Sequence, residues 1–316
     1  MAVTPRTRAG LIKFRPAGPG SRIALVAPAS PFDRAEFDRG IARLTELGFE
    51  TVYDDDVFAG GPIVAGRAAD RAAALARACA RGDVDVVLAV RGGYGSAETL
   101  PWLDQAALRR TRTAFVGYSD VTSVHAFLNC HVRLTSVHGA MIIGRIASGP
   151  EAFDLASWLG SLASAPLGEL APDGIEVLRP GEAVGPLFGG TLTQITASLG
   201  TPYEFLAPPG HVLFLEEINE RPYRLRKSLT QLRQSGRLSS VAAIVFGQLP
   251  GCDEPGGAVT SREVVADVFA DFPGPILFGF PSGHTTTSLI SLPLGVDTRV
   301  VARDRPRLVV EEAAAG

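Results

Sequence analysis

The sequence predicts an α/β fold, with an N-terminal doubly wound parallel-sheet domain and a smaller β-rich C-terminal domain. Three observations support this class. Strand-like and helix-like segments alternate through the first half of the chain, which is typical of a parallel sheet covered by helices. Residues 83–90 form a nearly unbroken Val/Leu run, as expected for a strand buried on both faces. Short strand-like runs separated by Gly and Pro predominate in the second half.

Residues 22–90 predict strands and helices in alternation. Residues 22–28 form a short apolar run and predict the first strand. Between 37 and 44 apolar residues recur at helical spacing, and a glycine follows the segment as a helix stop. A second strand is predicted at 49–53 and an alanine-rich helix at 67–81. The 83–90 strand then begins a third β-α unit.

The second half predicts a different organisation. The pattern weakens between about 150 and 180, where Gly, Pro and Ser become more frequent. We therefore expect an N-terminal domain at 1–165, a linker at 166–180 and a C-terminal domain at 181–316. The elements predicted in the C-terminal domain are strands at 211–216, 241–246 and 275–278, a helix around Leu225, Leu229 and Leu232, and a terminal hairpin at 298–311.

The composition excludes several classes of protein. With 316 residues, 46% of them hydrophobic and 20% charged, the chain resembles an ordinary globular protein. A formal net charge of −3 without a massed basic run indicates no nucleic acid or anionic membrane as a partner. No apolar run approaches the ~18 residues of a membrane span. Residues 1–20 lack the apolar core of a signal peptide, so we expect a cytoplasmic protein.

The cysteines indicate neither a disulfide framework nor a metal site. The chain has three, far apart in sequence, and none lies in a Cys-x-x-Cys pair. The histidines His131 and His138 also lack metal-ligand spacing. We expect no metal and no cofactor.

The segment at 116–122 is the most informative stretch of the chain. An apolar run ends at Gly117, Ser119 follows two residues later, and Asp120 opens a helix-like segment. A strand, a tight turn and a helix N-terminus present a nucleophilic serine beside free backbone N–H groups. The usual Gly-x-Ser-x-Gly pattern is incomplete, because Val121 stands at the second glycine. The alternative is a serine that only begins a helix.

A glycine-rich loop at 91–95 follows the 83–90 strand. This loop and Ser119 both fall at the carboxyl ends of predicted parallel strands, where ligands bind in doubly wound sheets. A dinucleotide fingerprint fits poorly, because Glu98 stands where a third glycine is required. We expect a loop whose backbone N–H groups approach a developing oxyanion. A flexible turn without chemistry is the alternative.

A serine nucleophile needs a base and an acid that orients the base. Among five histidines, His284 lies in a loop of glycine and hydroxyl residues between two strand-like runs, which suits a partly solvated base. Glu216 and Glu217 end an apolar strand, and strand alternation sends their side chains to opposite faces. Only one of them can orient the histidine, and the pattern leaves open which. The order Ser, acid, His favours a hydrolase.

Taken together, these motifs resemble the LD-carboxypeptidase family of serine peptidases, which includes murein tetrapeptide carboxypeptidases and microcin-immunity acylases. The matching motifs run in family order across nearly the whole chain: Arg91-Gly92-Gly93-Tyr94-Gly95, Gly117-Tyr118-Ser119-Asp120, His138-Gly139-Ala140-Met141, Gly189-Gly190-Thr191-Leu192, Leu215-Glu216-Glu217-Ile218, Gly283-His284 and Leu292-Pro293-Leu294-Gly295. Two positions depart from the family pattern. Thr191 stands at the asparagine of the typical Gly-Gly-Asn motif, and Ala140 stands at the proline of the typical His-Gly-Pro motif.

The resemblance implies a catalytic triad and an oxyanion hole. The triad would consist of Ser119 as nucleophile, Glu216 as orienting acid and His284 as base. The oxyanion hole would consist of backbone N–H groups of Gly92, Gly93 and Asp120. The resemblance also implies that the serine lies in the N-terminal domain, that the acid and base lie in the C-terminal domain, and that the active site lies between them in a homodimer.

The activity implied is that of a metal-independent serine carboxypeptidase acting on a small peptide, a muropeptide from which it releases terminal D-alanine. Candidate substrate contacts are Arg91, Tyr94, Thr191 and Arg221, the two arginines by charge and by proximity to the motifs. The nearest alternative is a microcin-immunity acylase that cleaves aminoacyl-nucleotide analogues with the same triad. A two-domain binding protein would need no reactive serine. A dinucleotide oxidoreductase ranks last because its glycine fingerprint is broken.

Overall fold

Two β-sheets organise the chain, one mainly from each half. The computed structural model of the protein describes residues 10–316. The strands in this part of the chain are β1 (Arg22–Val26), β2 (Glu50–Val52), β3 (Val86–Ala89), β4 (Ala114–Gly117), β5 (Ser136–His138), β6 (Gly168–Leu170), β7 (Glu176–Arg179), β8 (Gly181–Thr191), β9 (Val212–Glu216), β10 (Ala243–Gly247), β11 (Ile276–Phe280), β12 (Leu292–Leu294), β13 (Asp297–Ala302) and β14 (Arg307–Val310). The α-helices are α1 (Arg34–Glu46), α2 (Ala68–Ala80), α3 (Gln105–Arg109), α4 (Thr122–Ala126), α5 (Leu155–Leu162), α6 (Leu192–Ser198), α7 (Pro222–Gln234) and α8 (Ser261–Val268).

The first sheet has the strand order β12-β5-β4-β3-β1-β2. Strands β1 to β5 run parallel, and β12 pairs with β5 in the antiparallel sense at the edge. Every residue of β3 is fully buried, as expected for the unbroken apolar run that predicted it. The α/β class with a parallel N-terminal sheet is therefore confirmed.

The second sheet is mixed and has the order β6-β14-β13-β8-β9-β10-β11-β7. Its central strands β8 to β11 run parallel, while the outer strands pair antiparallel. Helices α6, α7 and α8 pack together with one face of this sheet around a second hydrophobic core. α7 starts with Pro222, which suits a first helical position, and buries Leu225, Leu229 and Leu232 as their spacing predicted.

Two features depart from the predicted division of the chain. The segment 166–180, predicted as a linker, carries β6 and β7, which are the edge strands of the second sheet. β12 belongs to the first sheet, although its residues fall within the predicted C-terminal domain. There β12 covers the edge of β5, whose backbone groups would otherwise stay unpaired. Edge strands this short have too few residues for a clear alternation, which explains why the sequence pattern missed them.

The loops at the carboxyl ends of the parallel strands position the candidate site. The 91–95 loop follows β3, and Ser119 follows β4. Glu216 ends β9, and the loop with His284 follows β11. No helix within residues 10–316 is long and apolar enough to cross a membrane.

Candidate active site

Ser119 lies in a sharp turn between β4 and α4. β4 ends at Gly117, and a short 3-10 helix (Ser119–Val121) leads into α4. The backbone φ of Ser119 is +68°, a value that residues other than glycine rarely adopt. Strain of this kind costs ~1–3 kcal/mol and clusters at functional sites. The serine is partly exposed, and its hydroxyl makes no hydrogen bond within residues 10–316.

Packing explains why the turn lacks its second glycine. A Cβ atom on Gly117 would lie 2.7 Å from Cγ2 of Val121 and 3.2 Å from Cβ of Ala89. The valine methyl group thus fills the space beside Gly117, so glycine is needed at 117 and a side chain fits at 121. The incomplete Gly-x-Ser-x-Gly pattern is therefore compatible with a nucleophile turn.

The glycine loop after β3 approaches Ser119 closely. A Cβ atom on Gly92 would lie 2.8 Å from Ser119 Cβ, 3.0 Å from Ser119 Oγ and 3.2 Å from the backbone N of Asp120. The backbone N–H groups of Gly92, Gly93 and Asp120 donate to no acceptor in the described part of the chain. Unpaired donors beside a nucleophile are what an oxyanion hole requires.

The carboxylate of Asp120 holds this loop in place. Asp120 is 3% exposed and accepts hydrogen bonds from the N–H groups of Gly95 (3.2 Å) and Ser96 (2.8 Å). Nε2 of Gln194 donates to the same carboxylate at 3.1 Å. Burial raises the pKa of Asp120, and the hydrogen bonds from Ser96 act against that rise. Asp120 therefore anchors the loop with its side chain while its N–H group stays beside Ser119.

Ser30 and Arg71 support the same loop and were not predicted from the sequence. The N–H of Ser30 donates to the carbonyl of Gly92 at 3.3 Å. Arg71 is 4% exposed and donates to the carbonyl of Gly95 (2.7 Å) and to Oε2 of Glu98 (2.6 Å). Glu98 is thus paired with a buried cation. The signal that could have found Arg71 is its position on the otherwise apolar face of α2.

Glu216 is fully buried at the end of β9 and faces His284. Its Oε2 accepts the backbone N–H of His284 at 2.9 Å and lies 2.7 Å from Nδ1 of the imidazole. A Cβ atom on Gly283 would lie 2.6 Å from the Glu216 carboxyl carbon, so glycine is required there. Glu217 faces away, and its carboxylate accepts the N–H (2.9 Å) and the hydroxyl (2.5 Å) of Thr193. The tertiary structure thus places Glu216 beside the histidine.

The electrostatics of this pair suit a base held by an anion. Burial alone would raise the pKa of Glu216, but the charge of His284 and its hydrogen bond lower that pKa to about 2. Burial acts against the charged form of His284 too, yet the neighbouring Glu216 carboxylate raises the pKa of the imidazole. Both shifts have one physical cause, the close contact between the carboxylate and the ring. Glu216 therefore stays ionised and stabilises an imidazolium.

Thr191 makes a different contact from the predicted one. It is 5% exposed, and its hydroxyl donates to Oε1 of Glu216. Its backbone N–H donates to the hydroxyl of Thr122 at 3.0 Å, in the helix that follows Ser119. In this structure Thr191 therefore links the orienting acid to the helix of the serine. A side chain this buried and already bonded does not support the predicted substrate contact.

Tyr118 brings the serine turn and the base together. Its ring centroid lies 5.2 Å from that of His284, at an interplanar angle of 70°. Nε2 of His284 makes no hydrogen bond within residues 10–316, and neither does the Ser119 hydroxyl. Catalytic hydrogen bonds often tighten only when substrate binds. The ring of Tyr118, the residue before Ser119, therefore contacts the imidazole and brings the serine turn near it.

The remaining predicted substrate contacts differ in their surroundings. Arg91 is exposed and donates to the carbonyl of Pro31 at 2.7 Å. Tyr94 is 55% exposed on the glycine loop. Arg221 precedes α7 and is paired with the carboxylate of Glu254. Arg91 and Tyr94 are thus free to meet a ligand, whereas Arg221 is already neutralised.

The other histidines near the site are buried and neutral. His125 is bonded through Nε2 to the carbonyl of Gly117 and through Nδ1 to the hydroxyl of Ser136, both at 2.8 Å. Burial lowers the pKa of His125 to about 3 and that of His138 to about 4. Neither ring is placed to accept a proton from Ser119, and His284 is the histidine whose ring contacts the residue before the serine.

No group of three His, Cys, Asp or Glu side chains within residues 10–316 could hold a metal ion. The three cysteines are unpaired with one another. Burial raises the pKa of Cys79 to about 12, so this thiol is unreactive at neutral pH.

Two family models match the chain. The LD-carboxypeptidase N-terminal domain matches residues 23–139, which include the glycine loop and Ser119. The LD-carboxypeptidase C-terminal domain matches residues 184–300, which include Glu216 and His284.

Individual proteins with similar sequences and structures agree with these matches. The murein tetrapeptide carboxypeptidase of Pseudomonas aeruginosa is 30% identical over 273 residues, which cover 83% of this chain and 88% of the relative. A crystal structure of muramoyltetrapeptide carboxypeptidase from Oxalobacter formigenes is 27% identical, with a TM-score of 0.79 over 92% of this chain and 98% of that one. The microcin C7 self-immunity protein MccF of Escherichia coli shares the fold, with a TM-score of 0.89 at 22% identity over 96% of this chain and 100% of that one.

Proposed function

The chain belongs to the LD-carboxypeptidase family of serine peptidases, and we propose that it releases terminal D-alanine from muropeptide tetrapeptides by hydrolysing an LD-amide bond. The observation that carries the proposal is the combination of three features. Ser119 sits in a strained turn, unpaired N–H groups lie beside it, and a buried Glu216 holds His284, whose ring contacts Tyr118 next to the serine. These are the parts that acyl transfer through a serine requires.

The mechanism follows from this geometry. Nε2 of His284 takes the hydroxyl proton of Ser119 as Oγ attacks the amide carbonyl, and Glu216 stabilises the imidazolium that forms. The N–H groups of Gly92, Gly93 and Asp120 then donate to the oxyanion. The imidazolium gives its proton to the leaving amine of D-alanine as the C–N bond breaks. A water molecule, deprotonated by the same imidazole, finally hydrolyses the acyl-enzyme and restores the serine.

The substrate class is supported by the relatives, two of which carry the names murein tetrapeptide carboxypeptidase and muramoyltetrapeptide carboxypeptidase. A second candidate is a serine acylase of the microcin-immunity kind, which would use the same triad on aminoacyl-nucleotide analogues. The fold shared with MccF keeps this candidate open. The two candidates differ in the leaving group, an amino acid with a free carboxylate in one case and a nucleotide analogue in the other.

The experiment assays one purified sample on both substrates and follows the products by mass spectrometry. We expect loss of one alanine residue from the tetrapeptide, and Ser119→Ala should lower that rate by ~10⁴-fold or more. The control is Ser148→Ala, at an exposed serine in the short 3-10 helix Ile146–Ser148, which should keep normal turnover. Near-normal turnover in Ser119→Ala contradicts the mechanism, and cleavage of the nucleotide analogue alone favours the acylase.

We further propose that the enzyme acts in the cytoplasm on recycled cell-wall peptides and forms a homodimer. The location is the expectation from residues 1–20, and the recycling role and the homodimer come from the family resemblance. Light scattering of the purified chain tests the second, and a monomeric mass at micromolar concentration would contradict it.

A further inference from the structure

Arg145 ties the segment after β5 to the loop that carries the base. Its Nη2 donates to the carbonyls of Gly283 (3.4 Å) and Thr285 (2.9 Å), which flank His284 on either side. Its Nη1 donates to the carbonyls of Ala152 (3.1 Å) and Thr287 (3.4 Å). One guanidinium therefore spans the loop and fastens it to the N-terminal part of the fold.

The four carbonyl acceptors around Arg145 are neutral, and the hydroxyl of Tyr118, the residue before Ser119, also interacts with this guanidinium. No carboxylate within residues 10–316 forms a salt bridge with this guanidinium, although the residue is partly buried. A planar fork with five donors in a fixed geometry can hold these four carbonyls at once, whereas a lysine ammonium has only three donors on a flexible stem. The contact is thus suited to fixing backbone geometry, and it leaves one positive charge beside the base.

The same loop is held from the opposite side by Gln248, which follows β10. Its Oε1 accepts the N–H (2.9 Å) and the hydroxyl (3.1 Å) of Thr286, and its Nε2 donates to the hydroxyl of Thr287 at 3.1 Å. Glu216 holds the N–H of His284. The loop is therefore held by Arg145 from the N-terminal part of the fold and by two groups of the second sheet, the uncharged Gln248 and the anionic Glu216.

We propose that Arg145 is a positioning residue for the general base: it fixes the loop so that the imidazole of His284 stays aligned between Glu216 and Ser119. This inference rests on the proposed function only in taking His284 as the base of Ser119. It adds a role for a residue that none of the motifs contains.

The charge of Arg145 provides a readout that a purely structural contact lacks. Several groups act on His284: the adjacent carboxylate of Glu216, the rings of Tyr118 and His138, the guanidinium of Arg145 and, by charge alone, the carboxylate of Glu217, which is bonded to Thr193. The two carboxylates raise the pKa of His284, and Arg145 lowers it. Removing the positive charge should therefore raise the pKa of the imidazole further and move the acidic limb of activity to higher pH.

Two substitutions separate geometry from charge. Arg145→Gln removes both the fork and the charge, whereas Arg145→Lys keeps the charge and loses the fork. We expect both to lower kcat on the tetrapeptide by ~10- to 100-fold, the loss typical of a misplaced catalytic group, with little change in KM. The acidic limb should shift upward in Arg145→Gln and stay in place in Arg145→Lys. Arg226→Ala, which breaks a surface ion pair with Asp267, is the matched control and should change nothing.

The pH dependence is also measured on the full-length chain as the rate at which a fluorophosphonate labels Ser119, because this reaction needs the same base but no peptide. A wild-type chain that is labelled but does not cleave the tetrapeptide contradicts the proposed substrate and leaves Arg145 testable by labelling. Normal kcat and labelling rates in both Arg145 variants overturn the inference. A rise in KM alone also overturns the inference, because Arg145 would then contact the substrate. A wild-type chain that is not labelled overturns it as well.

Discussion

His284 is joined twice to one oxygen of Glu216, through Nδ1 at 2.7 Å and through its backbone N–H at 2.9 Å. The double contact fixes the position of the loop and the orientation of the ring together. It also selects the tautomer with the proton on Nδ1, which leaves Nε2 as the acceptor for a proton. The residue before the histidine must be glycine, because a Cβ atom at 283 would collide with the carboxyl group.

Replacing the orienting acid by its amide should abolish most activity without removing the side chain. Glu216→Gln can no longer stabilise the imidazolium, and we expect kcat to fall by ~10⁴-fold, as in other triads. Steady-state kinetics on the tetrapeptide measure this. Glu217→Gln is the neighbouring control, since that carboxylate faces Thr193. Equal losses in the two variants would contradict the assignment of Glu216.

The pH dependence of the enzyme follows from the raised pKa of His284. The base must be neutral to accept the serine proton, and Glu216 holds the imidazole protonated to higher pH than its ordinary value of 6.5. We therefore expect kcat/KM to rise with pH through an acidic limb above 6.5. In Glu216→Gln the residual activity should show a limb at lower pH. A wild-type limb below 6.5 would contradict the direction of the shift.

A methyl group on the glycine loop should impair the oxyanion site. In Gly92→Ala the new Cβ would lie 3.0 Å from Ser119 Oγ and 3.2 Å from the N of Asp120, so the loop or the serine must move. We expect kcat to fall by ~10²-fold, comparable to the loss of one oxyanion donor. Thermal denaturation should show a folded protein. Gly82→Ala, where the added methyl meets open space, is the control, and similar kinetics in both would refute the close approach.

The hydroxyl of Thr191 should matter through Glu216. Thr191→Val keeps the shape and the backbone bond to Thr122 but removes the donor to the carboxylate. A lost hydrogen bond to a charged group is worth ~1.5–3 kcal/mol, so we expect a fall in kcat of ~10- to 100-fold at nearly constant KM. Thr191→Ser should restore most activity. A change confined to KM would instead support the predicted contact with substrate.

Local patterns accounted for the elements that are long or strongly apolar. The unbroken run of 83–90 predicted β3, and the leucine spacing predicted α7. The turn at Ser119 was recognisable even with Val121 in place of glycine. The sequence pattern did not predict the edge strands β6 and β7, which lie in the predicted linker 166–180. An edge strand of three or four residues is defined by its partner more than by its own side chains.

The sequence did not predict the residues that support the loops of the site, because most of their contacts are with backbone groups. Ser30, Arg71 and Arg145 act on loops that are distant in the chain, through bonds to backbone carbonyls or amides. Such acceptors are present at every residue, so no side-chain motif marks the pairing. The contact of Thr191 with Glu216 joins two side chains, and both residues belong to recognised motifs, but nothing in the sequence indicated that they meet.

What the sequence alone determined is the set of local structures and reactive side chains: parallel strands, a serine on a tight turn, a glycine loop, and an acid and a histidine in the right order. These depend on spacing between near neighbours. The strand pattern left open which carboxylate faces the histidine, and the family resemblance implied Glu216. The contact itself is seen only in the tertiary structure, because Glu216 and His284 lie 68 residues apart. The reason is physical: the pairing of β9 with β10 and of β10 with β11 brings the two together, and that register is set by the packing of the whole sheet.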